Sequence, residues 1–191
     1  MDFTIQEYKN RLHKVQQSMQ KKGIELLISQ DTANIYYLTG YDAWSFYYSQ
    51  CVIIHVNAEE PICYVRTQDA AGALIKTYLK KENIVIYPEK YIHTWPNHPY
   101  DGLVELIKTK KWDKLNIGLE MDSHYFTAFC YEKLRQGLPN ANLKDSERLV
   151  NWVRCIKSET EITYMKNAAV ISEKAMKTAM EVINPGVRQC D

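Results

Sequence analysis

The sequence predicts an α/β fold: a three-layer α/β/α sandwich with a mixed sheet. Three observations carry this. Apolar runs of strand length recur at residues 24–29, 51–56, 62–66, 83–87 and 115–120. Between the later runs lie segments with helical apolar spacing, the alternation of a sheet covered by helices on both faces. The runs 51–56 and 62–66 flank a polar turn at 57–61 and read as a hairpin, so the sheet is mixed rather than all parallel.

Taken in order, residues 5–22 carry Ile5, Tyr8, Leu12, Val15 and Met19 at helical spacing, and Gly23 closes that helix. Residues 24–29 read as a buried strand and 30–34 as a polar turn. The turn leads into an aromatic segment, residues 34–48, in which Tyr36, Tyr37, Tyr41, Trp44, Phe46, Tyr47 and Tyr48 surround Gly40. Several of these rings bring a hydroxyl or an indole N–H that needs a partner when buried. Two readings follow: an aromatic-rich buried strand and loop, or a wall touching a small polar ligand or a partner subunit.

After the hairpin, residues 68–81 read as a helix and 83–87 as a strand. The loop 88–99 holds His93, Trp95 and His98. Residues 100–111 form a helix, 115–120 a strand, and 123–136 a helix stopped by Gly137 and Pro139. Residues 142–155 read as a polar, extended connection ending in a short strand or turn around 149–153. Ser158 and Glu161 then form a capping box that opens a long helix, 158–183. Its apolar stripe of Ile162, Met165, Ala169, Met176, Met180 and Ile183 needs cover, and Asn184-Pro185-Gly186 stops it.

Bulk properties narrow the function classes. The 191 residues are 46% hydrophobic and 25% charged, with a net charge of +1, so nothing draws the chain toward nucleic acid or an anionic membrane. No apolar run approaches the ~18 residues of a membrane span, and the N-terminus lacks a basic-then-apolar signal pattern. The cysteines are scattered without a CxxC pair, the usage of a reducing cytoplasm.

Chemical motifs are sparse. The histidines form no HExxH or i, i+4 pair, and no GxGxxG, GxxxxGK[ST] or GxSxG occurs. His93 and His98, sharing a loop with Trp95, are candidates to line a site, though exposure is the plainer expectation for loop histidines. Glu120 and Asp122 follow a strand closely, and Asp122 with Ser123 is expected to cap the next helix. Cys51 and Cys130 have apolar neighbours and are expected to be inert buried thiols. By residue type alone, the chain carries no catalytic constellation and no metal set.

Two motifs, in order, resemble a known family. The segment Arg154-Cys155-Ile156-Lys157-Ser158-Glu159-Thr160-Glu161-Ile162, followed by Pro185-Gly186, resembles the junction of the creatinase/prolidase/aminopeptidase P family. There such a segment joins an N-terminal α/β domain to a "pita-bread" metallohydrolase domain. Ile35-Tyr36-Tyr37-Leu38-Thr39-Gly40 looks like that domain's N-x-x-Y-L-T/S-G motif. Details such as Tyr41–Tyr47, His98-Pro99-Tyr100-Asp101 and Leu149–Arg154 look most like the ectoine hydrolase branch and its dimethylsulfoniopropionate-lyase relatives, with Xaa-Pro dipeptidases the near competitor.

The resemblance implies an organisation and a role. Residues 1–141 would be the N-terminal α/β domain, 142–157 a linker, and 158–191 the first helix of a truncated pita-bread domain. The family's two Asp, one His and two Glu metal ligands would lie beyond Asp191, so the divalent metal is implied for that domain. The chain alone is expected to hold no cofactor and hydrolyse nothing. It would help form a homodimer in the cytoplasm and contribute to the partner subunit's pocket for a small carboxylated substrate, with Tyr41, Trp44, Phe46, Tyr47 and His98 as substrate contacts. The alternative is a stand-alone binding or interaction module on the same fold.

Overall fold

The computed structural model describes residues 2–42, 47–188 and 190. The chain divides into two units, Met1–Cys155 and Ile156–Asp191. The first is an α/β/α sandwich on a mixed sheet of six strands. In chain order its elements are α1 (Ile5–Lys21), β1 (Leu26–Ser29), α2 (Thr32–Thr39), β2 (Cys51–His55), β3 (Ile62–Arg66), α3 (Ala70–Lys76), β4 (Ile84–Tyr87), α4 (Pro99–Thr109), β5 (Asn116–Leu119), α5 (Ala128–Gly137), β6 (Asn142–Asp145) and α6 (Leu149–Cys155). The sheet order is β4-β3-β2-β1-β5-β6.

The pairings fix a direction. β2 runs antiparallel to both β1 and β3, whereas β1–β5, β3–β4 and β5–β6 are parallel. All strands but β2 therefore point the same way, and their C-terminal ends share one edge of the sheet. The 2.0 period of strand side chains then splits the core in two. Leu27, Val52, Ile54, Cys63 and Val65 face one way, under α1, α2, α3 and α6. Leu26, Ile28, Cys51, Ile53, Ile62 and Tyr64 face the other, under α4 and α5. This is the sandwich the alternating runs predict.

Five elements depart from the sequence reading. The turn 30–34 and the start of the aromatic segment form α2. Asp31 Oδ1 accepts from Ala33 N and Asn34 N at 2.9 and 3.3 Å, and Gly40 ends the helix at φ 81°. Local capping thus overrides the strand preference of the tyrosines. α3 stops at Lys76, where the Thr77 hydroxyl turns back to Ala73 O at 2.8 Å and the backbone becomes extended. α5 begins at Ala128 under a Thr127 cap. Residues 142–155 form β6 and α6 rather than an extended connection. Leu149 and Val150 of α6 are buried on the first core, a pattern too short to read as helical periodicity.

The second unit is dominated by α7 (Glu159–Val182). Its capping box is present as expected: Ser158 Oγ accepts from Glu161 N, and Glu161 accepts from Ser158 N at 2.8 Å. The helix buries none of its side chains, and Met165, Met176, Met180 and Ile183 are exposed.

Gly40 joins α2 to the aromatic segment. A Cβ there would stand 2.8 Å from the hydroxyl of Tyr8, a fully buried ring, in a left-handed conformation. Gly40→Ala is expected to cost at least about 1–2 kcal/mol from the backbone alone, read by chemical denaturation. A cost near zero would mean that α2 ends without its left-handed residue.

Candidate binding site

Two cavities open along the sheet edge where the parallel strands end, the usual place for ligands in open α/β sheets. A buried carboxylate lines the first of them. Glu120, 5% exposed, directly follows β5. Its Oε1 accepts from Ser29 Oγ and Asn34 Nδ2, both at 2.6 Å, and its Oε2 accepts from the backbone N–H of Gln30 and Asp31 at 2.9 and 3.0 Å. It thus ties the end of β5 to the end of β1 and the start of α2. Burial pushes its carboxyl above the ordinary range, and the four donors offset part of that rise.

The network extends both ways. Asn34 Nδ2 also donates to Asn151 Oδ1 at 3.0 Å, and Arg154 Nη1 donates to Asn34 Oδ1 at 2.7 Å, which fastens α6. On the other side, Tyr100 Oη donates to Gln30 Oε1 at 2.8 Å, which fastens α4. Asp122 does not cap a helix as expected. It binds Arg148 Nε at 2.8 Å and lines a polar cavity of about 200 Å³ with Asp31, His124 and Asp145. The cap falls to Thr127 because residues 123–126 form turns before α5 begins.

The second cavity, about 450 Å³, is aromatic. Its walls come from Tyr47 and Tyr48 before β2, Tyr91 to Trp95 after β4, His98 at the start of α4, and Phe129 in α5. Two core tyrosines hold these walls from beneath. Tyr64 Oη donates to Pro99 O at 2.7 Å and Tyr87 Oη to Ser49 O at 2.9 Å, with their rings stacked 5.0 Å apart. Trp95, 81% exposed, stacks on Phe129 at 5.3 Å, and His98 meets Phe129 edge-on at 5.1 Å.

His98 is the N-cap of α4. Its ring Nδ1 accepts from Tyr100 N at 3.2 Å, while its backbone N–H donates to Asp101 Oδ2 at 2.8 Å. An Nδ1 that accepts carries no proton, so the neutral ring holds its proton on Nε2. Burial lowers the imidazole's pKa; Asp101 raises it in part, and Lys133 lowers it further.

Of the residues expected to contact substrate, the structure brings Tyr47 and His98 to the aromatic cavity. Tyr41 is elsewhere: it is buried in the first core and borders a separate cavity with Asp42, Gln68 and Lys76. Trp44 and Phe46 lie outside the described residues. His93 lines the cavity in a left-handed conformation, its Nε2 3.3 Å from Tyr48 Oη. Phe129 and Tyr91 give no signal in the sequence; only the fold brings α5 beside the loop after β4. Cys51 and Cys130 are buried, and burial pushes the Cys51 thiol up, as expected of an inert core residue. Among the described residues, no group of three His, Cys, Asp or Glu side chains could hold a metal ion. Nor, among them, is any helix long and apolar enough to cross a membrane.

An N-terminal-type α/β domain with a ligand-sized cavity at its strand ends is the class these features define. The chain belongs to the Creatinase/Prolidase N-terminal domain family, whose model matches residues 11–156. It is 43% identical over 191 residues to an uncharacterized hydrolase/peptidase, y4tM, of Sinorhizobium fredii, covering all of this chain and 49% of that protein. It is 41% identical over 188 residues to the ectoine hydrolase of Halomonas elongata, covering 98% of this chain and 47% of the relative. The chain therefore spans about half the length of the curated relatives it matches. The Xaa-Pro dipeptidase from Bacillus anthracis superposes with a TM-score of 0.72 at 17% identity, over 96% of this chain and 46% of that one, which supports the fold.

Two outcomes follow from this geometry. Glu120→Gln would turn an amide N–H₂ toward donors, and is expected to cost about 1–3 kcal/mol, the penalty for unsatisfied buried polar groups; unchanged denaturation midpoints would contradict the network. For His98, the folded pKa lies below the unfolded value of about 6.5. Its contribution to stability is therefore present above that pH and is lost as pH falls through the folded pKa. Unfolding free energies measured against pH should show this loss in the native chain and a flatter acid limb in His98→Asn. Identical limbs would mean that His98 is not held neutral.

Proposed function

We propose that this chain is the non-catalytic N-terminal domain of a C–N bond metallohydrolase of the ectoine hydrolase or Xaa-Pro dipeptidase type. The observation that carries the reading is the match to hydrolase relatives over nearly the whole of this chain but only half of theirs. In this reading the divalent metal and the bond-breaking chemistry belong to the remaining half. The domain organisation proposed is an α/β domain followed by a helix, 158–191, that opens the metal domain.

The domain's own contribution is to the homodimer and to the partner subunit's substrate pocket. Support comes from the exposed rings of Tyr47 and Trp95 at the rim of the aromatic cavity. Rings at such a rim can exclude water from a small carboxylated substrate and attract its cationic part by roughly 0.5–2 kcal/mol. Trp44, Phe46, Tyr47 and His98 remain the proposed contacts, Tyr41 lying apart in the first core, and the cytoplasm the proposed location.

Subunit complementation tests this. Full-length protein carrying Tyr47→Ala and Trp95→Ala is mixed, after dissociation, with full-length protein inactivated in its metal domain. Ectoine and an Xaa-Pro dipeptide serve as substrates. Activity well above either parent is expected, because each heterodimer pairs one intact metal site with one intact aromatic wall from the other subunit. Recovery no greater than the parents' sum would place the wall in its own subunit's site or outside catalysis. Full activity in the Tyr47→Ala/Trp95→Ala parent would favour a domain that serves binding alone.

A further inference from the structure

The aromatic cavity has a charge balance that selects its ligand. Among the described residues, no carboxylate, ammonium or guanidinium lines it. The nearest cations stand outside the described lining, Lys90 Nζ 5.0 Å over the Tyr91 ring among them. Lys133 Nζ pairs with Asp101 at 2.9 Å and donates to Pro96 O at 2.9 Å. Arg66 lies 4.0 Å over the Tyr48 ring and makes a forked pair with Glu89, its Nη2 at 2.6 Å. A carboxylate entering the cavity would find no lysine or arginine among the described lining residues to offset its desolvation.

His98 adds a directional constraint. Because Nδ1 is occupied by the Tyr100 N–H, the one remaining donor of this cavity-lining ring is Nε2–H. A charged acceptor at Nε2 would draw a second proton onto the imidazole. That proton would have to sit on Nδ1, against the Tyr100 N–H, and would break the cap that starts α4. A neutral acceptor asks for no such change. Flanking it are flat apolar surfaces: Trp95 stacked on Phe129 on one side, Tyr47 and Tyr48 on the other, their centroids 4.8 Å apart.

We propose that the cavity between residues 47–49, the loop 91–98 and Phe129 binds a neutral carbonyl ligand with a flat apolar body. An N-acylated or amidated aromatic compound is the class, its oxygen accepting from His98 Nε2–H and its ring lying against Trp95 and Tyr47. In the hydrolase reading the substrate's carboxylate is held by the partner's metal domain and these rings meet only the rest of it; this inference concerns the cavity itself and stands apart from that reading.

The experiment titrates the ¹⁵N-labelled chain, histidine side chains included, with three probes: N-acetyl-phenylalaninamide, 3-phenylpropionate and phenethylammonium. The amide is expected to shift the His98 ring nitrogens and residues 91–97, saturating in the millimolar range usual for so small a ligand. Each charged probe should bind at least about fivefold more weakly, the worth of one hydrogen bond. His98→Asn keeps a capping oxygen, so it should melt near the native chain above neutral pH while weakening the amide about fivefold. Trp95→Ala removes an exposed ring and should weaken the amide without loss of fold. The proposal is overturned if 3-phenylpropionate binds as tightly as the amide, if both variants keep native affinity, or if no cavity residue moves. Because these readouts need no catalysis, they fail independently of the complementation test.

Discussion

The Glu120 carboxylate, buried at the end of β5, is the interaction on which the edge of this sheet depends. A carboxylate out of water is costly unless its lone pairs are filled. Here each oxygen has two donors, from β1's end and from the first turn of α2. The loop after β1, whose Gln30 and Asp31 N–H groups would otherwise be unpaired, is thereby drawn to the loop after β5. Asn34 and Gln30 then carry the order outward, to α6 through Asn151 and Arg154 and to α4 through Tyr100.

The strand directions explain why this edge carries the cavities. Only β2 opposes its neighbours, so the loops after β1, β3, β4, β5 and β6 emerge side by side with the segment that enters β2. Rings from distant parts of the chain meet there: Tyr47, His98 and Phe129 belong to three different connections. The wall is held from below by the hydroxyls of Tyr64 and Tyr87, each buried and each donating to a backbone carbonyl. The His98 cap fixes both the start of α4 and the ring's tautomer, so one hydrogen bond sets a helix boundary and a recognition group together.

Much of this is legible in the sequence where apolar period and length agree. α1, the hairpin β2–β3, β5 and the capping box of α7 all follow from patterns several residues long. α2 was harder, because its tyrosines favour strands while Asp31 and Gly40 favour a helix, and the end residues won. α6 spans seven residues, too few to show a period, and its burial against α1 and α2 is a tertiary fact. The site divides the same way. Tyr47 and His98 stand in segments rich in rings and can be suspected from composition. Phe129 joins them only because α4 and α5 pack side by side, and Glu120's partners lie some ninety positions away along the chain. Asp122 looks like a helix cap by its place before a polar residue, yet the turn at 123–126 moves the cap to Thr127.

Native-state hydrogen exchange of the Gln30 and Asp31 amides tests the central claim most directly. Both lie just past the end of β1, where an untethered loop would exchange at rates near those of local opening. If they donate to a buried Glu120, their protection should match that of the β1 amides and should fall together in Glu120→Gln. Rapid exchange of both amides in the native chain, with β1 itself protected, would contradict the account.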